Sequence, residues 1–132
     1  MHNVNFLAVI GATLAAGFSG VLWYSPLLFA KAWMRECGFD ETAFRGRNPA
    51  LLFGSAFLLN FVTALVFAIC MGPGAGLVLG FKAGLVVGVF WAGSSVALNY
   101  LFEGKSLKLF AITGGYHVLR FTLIGIILGI WN

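Results

Sequence analysis

Charge is scarce in this chain: Asp and Glu together number 4 and Lys and Arg 8 in 132 residues, or 9%, where a soluble domain carries about 25%. Such a composition cannot cover a globular surface with polar groups, so lipid has to act as the solvent. Whole stretches lack charge. Met1 to Ala30 and Asn48 to Phe81 contain no Asp, Glu, Lys or Arg, and about 20 apolar residues suffice for one spanning helix. Paired cysteines are missing too. Cys37 falls in the one hydrophilic segment and Cys70 near the end of an apolar run, so about 30 Å of bilayer between them argues against a disulfide.

Enzyme signatures are absent as well. There is no Gly-x-Ser-x-Gly, phosphate-binding Gly loop, His-Glu-x-x-His or pair of carboxylates, and these are the patterns that place nucleophiles, phosphates or zinc. The chain therefore reads as a non-enzyme, with no catalytic residue, metal site or cofactor assigned. The net charge of +4 does not indicate nucleic acid, because the basic residues are neither clustered nor interleaved with stacking aromatics.

What remains is hydrophobicity, 61% of residues with mean hydropathy +0.98, punctuated by turns. The reading is an all-α polytopic membrane protein: a single four-helix transmembrane domain over residues 1–132, with spans at about 5–24, 49–71, 77–102 and 106–131. The N-terminal run lacks a basic n-region and exceeds a signal-peptide core, so it reads as a retained first helix. Ser25-Pro26 and Asn48-Pro49 each combine an N-cap residue with proline at the first helical position. Between them, segment 26–47 holds a short amphipathic helix, Leu27 to Cys37, suited to the membrane interface. Gly72-Pro73-Gly74 and Glu103-Gly104-Lys105 supply the remaining turns.

Lys31, Arg35, Arg45 and Arg47 lie between spans one and two, and Lys105 and Lys108 between three and four; the other connections and both ends carry none. By the positive-inside rule both charged connections are cytoplasmic and both termini outside.

Helical projection at 100° per residue assigns the faces. Gly76, Gly80, Gly84, Gly88 and Ala92 recur every fourth residue in span three, with Trp91, Ser95 and Asn99 on the same side. In lipid such a ladder is a helix-packing face, its partner being span one or another protomer. Gly125 and Gly129 form a second small-residue face on span four, available to a further partner. Two such faces on four helices imply a homo-oligomer, dimer or trimer.

Thr113, Tyr116, His117 and Arg120 share one sector of span four. Lys82 lies near a span end and snorkels, whereas Arg120 sits about a dozen residues from either end, where insertion costs about 2.5–3.5 kcal/mol. No Asp or Glu lies inside a span, so Arg120 must find neutral partners, bind an anion or headgroup, or serve in gating. Asn60 and Thr63 lie at similar depth on span two, and the sector is expected to face them across a polar pocket. His117 reads as a hydrogen-bonded core histidine or a proton shuttle.

Leu22-Trp23-Tyr24-Ser25-Pro26-Leu27-Leu28-Phe29-Ala30-Lys31-Ala32-Trp33-Met34, followed by Phe102-Glu103-Gly104-Lys105-Ser106-Leu107-Lys108-Leu109-Phe110, Gly115-Tyr116-His117 and Gly129-Ile130-Trp131, resembles the bacterial membrane family called domain of unknown function 1761. The resemblance covers nearly the whole chain. It implies a small four-span protein of the bacterial inner membrane, of uncharacterised activity, with Trp23, Tyr24, Ser25, Pro26, Lys31, Trp33, Tyr116 and His117 as motif positions. Two functions follow as expectations: a homo-oligomeric transporter or channel with a basic pocket for an anion or small solute, or a structural or lipid-binding membrane protein without transport. In both, membrane lipids are partners and nucleic acid is not.

The charge bias makes a topological prediction. Single cysteines placed at the N-terminus and in the Gly72-Pro73-Gly74 turn should react with a membrane-impermeant thiol reagent applied outside, and Cys37 should not. Labelling of Cys37 in intact cells would invert the orientation.

Overall fold

The computed structural model describes residues 4–24, 30–37, 49–72 and 74–131. The helical segments are α1 (Phe6–Trp23), α2 (Ala30–Cys37), α3 (Pro49–Met71), α4 (Gly76–Val86), a π-helical segment (Val87–Ala92), α5 (Gly93–Glu103) and α6 (Leu107–Trp131). Four helices are long and apolar enough to cross a membrane: α1, α3, the continuous run Gly76–Glu103 and α6. There is no strand among the described residues. Ser25, Pro26 and the expected Asn48 cap lie outside the described residues, as do residues 27–29 at the expected start of α2.

Local chemistry sets the helix ends. The Asn5 side-chain oxygen accepts from the backbone N–H groups of Leu7 and Ala8 at 3.1 and 3.3 Å, capping α1. The same side chain donates through Nδ2 to the Trp131 carbonyl at 3.1 Å, which ties the start of α1 to the end of α6. Gly104 ends α5 in the left-handed region at φ 72°, a conformation that favours glycine. Ser106 then opens α6 by accepting from the Leu109 N–H at 3.0 Å.

The helix α6 is the hub. It packs against α4 and the π segment on one flank and α1 on another, with α3 lying mainly on α1. The contact between α4 and α6 is backbone on backbone. A Cβ on Gly80 would overlap the Gly125 carbonyl oxygen, one on Gly125 the Gly80 carbonyl, and one on Gly129 the Gly76 carbonyl. On Gly88 it would come within 2.8 Å of the Val118 Cα. Glycine is thus required for the approach, and dispersion at short range replaces the hydrophobic drive that lipid does not supply.

This corrects the expectation for span four. Gly125 and Gly129 do not form a face for a further partner; they are the counterpart of the span-three ladder within one chain. The premise for a homo-oligomer, two small-residue faces to fill, is thereby removed.

The ladder itself breaks at the π segment. Gly80, Gly84 and Gly88 are buried, and the next buried residue is Gly93, with Ala92 only partly covered. The wider π turn adds a residue and rotates everything after it. Trp91, expected on the glycine side, is 73% exposed, and Ser95 and Asn99 are exposed as well. Hydroxyls serve the segment's carbonyls: Ser94 Oγ donates to Phe90 and Ser95 Oγ to Trp91, the latter at 2.7 Å.

The remaining core is built on an alanine stripe. Ala8, Ala12 and Ala16 of α1 are fully buried and pack with Ala64, Phe67 and Ala68 of α3 and with Ile124 and Leu128 of α6. Packing of α3 begins only at Asn60, for every residue from 50 to 59 is exposed. The first half of α3 therefore stands away from the bundle.

Leucine at Gly84, whose Cβ would strike the backbone of Phe121 and Thr122, should abolish the fold, since helices cannot move apart as flexible side chains can. Alanine at Gly54, which has nothing within 4 Å, should leave it intact or stabilise it by about 0.5–1 kcal/mol. Thermal unfolding in detergent checks both.

Candidate functional site

Arg120 lies near the middle of α6, and its guanidinium reaches across to α3. Nε donates to Asn60 Oδ1 at 2.6 Å and one Nη to Thr63 Oγ1 at 2.9 Å. The cation also lies 4.8 Å from the centroid of the Phe121 ring, a favourable cation–π distance. Asn60 is buried and Arg120 partly buried. The spacing of Asn60 and Thr63, nearly one helical turn, lets one planar fork address both. No carboxylate neutralises it within a span: Glu103 is exposed at the end of α5.

Two grooves flank this contact. The first, groove A, has a volume of about 960 Å³ and lies between the second half of α1, α2, the first half of α3 and the start of α6. Its walls include Phe18, Tyr24, Trp33, Phe57, Tyr100 and Tyr116, with Thr13, Asn60 and Thr113 as polar points. Groove B, about 730 Å³, lies between the second half of α3 and the run from Leu79 to Ser95, and is lined by Thr63, Cys70, Val87, Trp91 and Phe121 among others. The standing-away of α3 accounts for the first, and limited contact between α3 and the third span for the second. Arg120 itself lines neither groove.

The motif residues remote in sequence converge beside groove A. Trp23 Nε1 donates to the Ile112 carbonyl at 2.9 Å, and its ring lies against Gly115, where a Cβ would come within 3.1 Å. Tyr24 meets both Trp33 and Tyr116 edge-on, with ring centroids 5.5 Å apart in each pair. Tyr116 donates through its hydroxyl to the Ala16 carbonyl at 3.0 Å, over Gly20, where a Cβ would come within 2.7 Å of that hydroxyl. These contacts tie the C-terminal part of α1 to the middle of α2 and to the first half of α6 through aromatic pairs and hydrogen-bonded polar tips.

Of the remaining candidates, Lys31 is exposed on α2, and Ser25 and Pro26 lie outside the described residues. Lys82 is exposed on α4. His117 stands beside Tyr116 with ring centroids 5.6 Å apart, but its Nδ1 is buried without a hydrogen-bond partner among the described residues. It is not the hydrogen-bonded core histidine at that atom. Sequence reasoning missed the bond from Tyr100 to Thr113 Oγ1 at 3.1 Å and both grooves, which depend on how far helices stand apart.

A mutational pair checks the Arg120 contact. Asn60→Leu alone strands donors of the guanidinium and should cost about 1–3 kcal/mol. Asn60→Leu combined with Arg120→Leu removes both sides and should restore stability to near that of the parent, read by thermal unfolding in detergent.

Neither a curated protein nor a solved structure matches the chain. The model of one family, described as Protein of unknown function (DUF1761), matches residues 7–129, which runs from the first turn of α1 to the last turn of α6 and takes in both the convergent aromatic motif and Arg120. The chain belongs to this family, DUF1761, and is an integral membrane protein within it.

Proposed function

We propose that the protein is a lipid-binding membrane protein that holds an amphiphile in groove A. The observation that carries this reading is the groove's combination of size, apolar aromatic walls and a few neutral polar points. A volume of about 960 Å³ falls within the range of small-molecule sites. The walls suit acyl chains, and the tyrosine and threonine hydroxyls suit ester or glycerol oxygens.

A transporter or channel for a small aqueous anion has less support. Such a route asks for polar walls, whereas both grooves are mainly apolar, and Arg120 is held between helices instead of facing an open basic pocket. Homo-oligomer formation has lost its premise. The orientation inferred from loop charge, with charged connections cytoplasmic and the bacterial inner membrane as location, belongs to the same proposal. It would set groove A in the inner leaflet.

Native mass spectrometry of protein purified in mild detergent provides the test. Phospholipid adducts are expected, and Ala56→Trp, which fills groove A from an exposed position, should weaken their retention about tenfold, equivalent to about 1.4 kcal/mol of lost contacts. Absence of adducts, or adducts indifferent to this substitution, would overturn the reading.

A further inference from the structure

We infer that the two grooves are the halves of one lipid path, and that the protein moves phospholipid between bilayer leaflets past Arg120. This rests on the lipid-binding reading of groove A and adds an activity to it.

Depth is the first argument. Along α3, groove A takes Leu52 to Asn60 and groove B takes Val62 to Met71. At 1.5 Å per residue, Leu52 to Met71 rises roughly 28 Å, close to the roughly 30 Å of the hydrocarbon core. Each groove is therefore about one leaflet deep, on opposite sides of the midplane. The chain direction agrees: groove A has Tyr100 from the third span, near the charged connection, and groove B has Leu79, near the Gly72-Pro73-Gly74 turn.

The second argument is what stands at their junction. Asn60 belongs to groove A and Thr63 to groove B, and these are the two acceptors of Arg120. The partition between the grooves is thus a polar contact at mid-depth, where a crossing headgroup meets its greatest barrier, since a charge in hydrocarbon without partners is costly. A guanidinium carries five N–H donors in a planar fork; among the described residues it makes only two hydrogen bonds, both to neutral oxygens. A lipid phosphate adds what the two neutral oxygens lack, a full opposite charge and bidentate acceptance matched to the planar fork. The phosphate can therefore displace Asn60 and Thr63, and doing so opens the polar contact at that depth and joins the grooves there, while Ala64, Phe67 and Ala68 of α3 stay packed with Ile124 and Leu128 of α6 and the acyl chains remain in apolar surroundings. After the headgroup passes, the neutral acceptors return and close the partition. Charge complementarity selects the ligand: an anionic or zwitterionic phospholipid, whose phosphate meets a cation with no carboxylate beside it within the spans.

The experiment uses the full chain in vesicles of phosphatidylcholine and phosphatidylglycerol containing a trace of acyl-labelled fluorescent phosphatidylglycerol in both leaflets. Dithionite added outside bleaches the outer label only, so vesicles without flipping retain about half the signal, whereas protein-containing vesicles are expected to lose nearly all of it. Arg120→Leu should return the signal to the half-bleached plateau. Because that variant also alters the helix contact, Val66→Trp provides a second arm: Val66 is exposed in groove B, so the bulky ring should block translocation while native mass spectrometry still finds lipid in groove A. Parent protein at the half-bleached plateau, with lipid adducts retained, would overturn the translocation path and leave the lipid-binding reading standing. Loss of both would overturn both. Translocation unaffected by Val66→Trp and by Arg120→Leu would place the path elsewhere and refute the inference.

Discussion

Everything in this fold hangs on the closeness of the third span to α6. In lipid, two helices gain little by hiding apolar side chains from a solvent that is itself apolar. What they can gain is dispersion, and that requires backbone within reach of backbone. Gly80, Gly84, Gly125 and Gly129 permit it, and the resulting pair is a rigid stem. The alanine stripe of α1 builds a second layer on α6, and α3 rests chiefly on α1. Both grooves are bounded by α3, which meets the glycine stem mainly through α6 and touches the third span very little.

Arg120 has to be understood within that layering. A cation in the middle of a span is expensive, and its partners are supplied by α3, whose other main contact is with α1. The arrangement stabilises α3 at one height and leaves its first half unpacked. An all-apolar substitute at these three positions is expected to hold the fold about as well, as replacement of buried charged contacts by packed apolar residues often does.

Much of the architecture was legible in the residues. Long uncharged runs, cut by Gly72-Pro73-Gly74 and Glu103-Gly104-Lys105, locate the four spanning helices within a residue or so of their observed ends. The Arg120 contact was legible for a stricter reason: a mid-span guanidinium must find acceptors, and α3 offers Asn60 and Thr63 at that depth. The partner of the glycine ladder was not legible, since a small-residue stripe states how closely something approaches and not what. Projection at a fixed 100° also misplaced Trp91, because it takes one helical pitch for granted and the π segment changes it. The grooves were hidden from sequence altogether. They are products of helix separation, which depends on packing between residues far apart in the chain.

The length of the third span has a consequence for the setting in which the protein works. Its 28 residues correspond to about 42 Å of helix, longer than the roughly 30 Å of hydrocarbon and about the thickness of a bilayer with its headgroup layers. A helix of this length either reaches both headgroup layers or tilts within the bilayer. The glycine stem fixes this helix to α6, so any tilt is shared by the pair and felt on the other side, where α3 and the third span form the two walls of groove B and touch little. Bilayer thickness is then expected to act as a mechanical input: in a thinner or thicker membrane the same chain should hold those walls at a different separation, without any change in its own sequence or ligands.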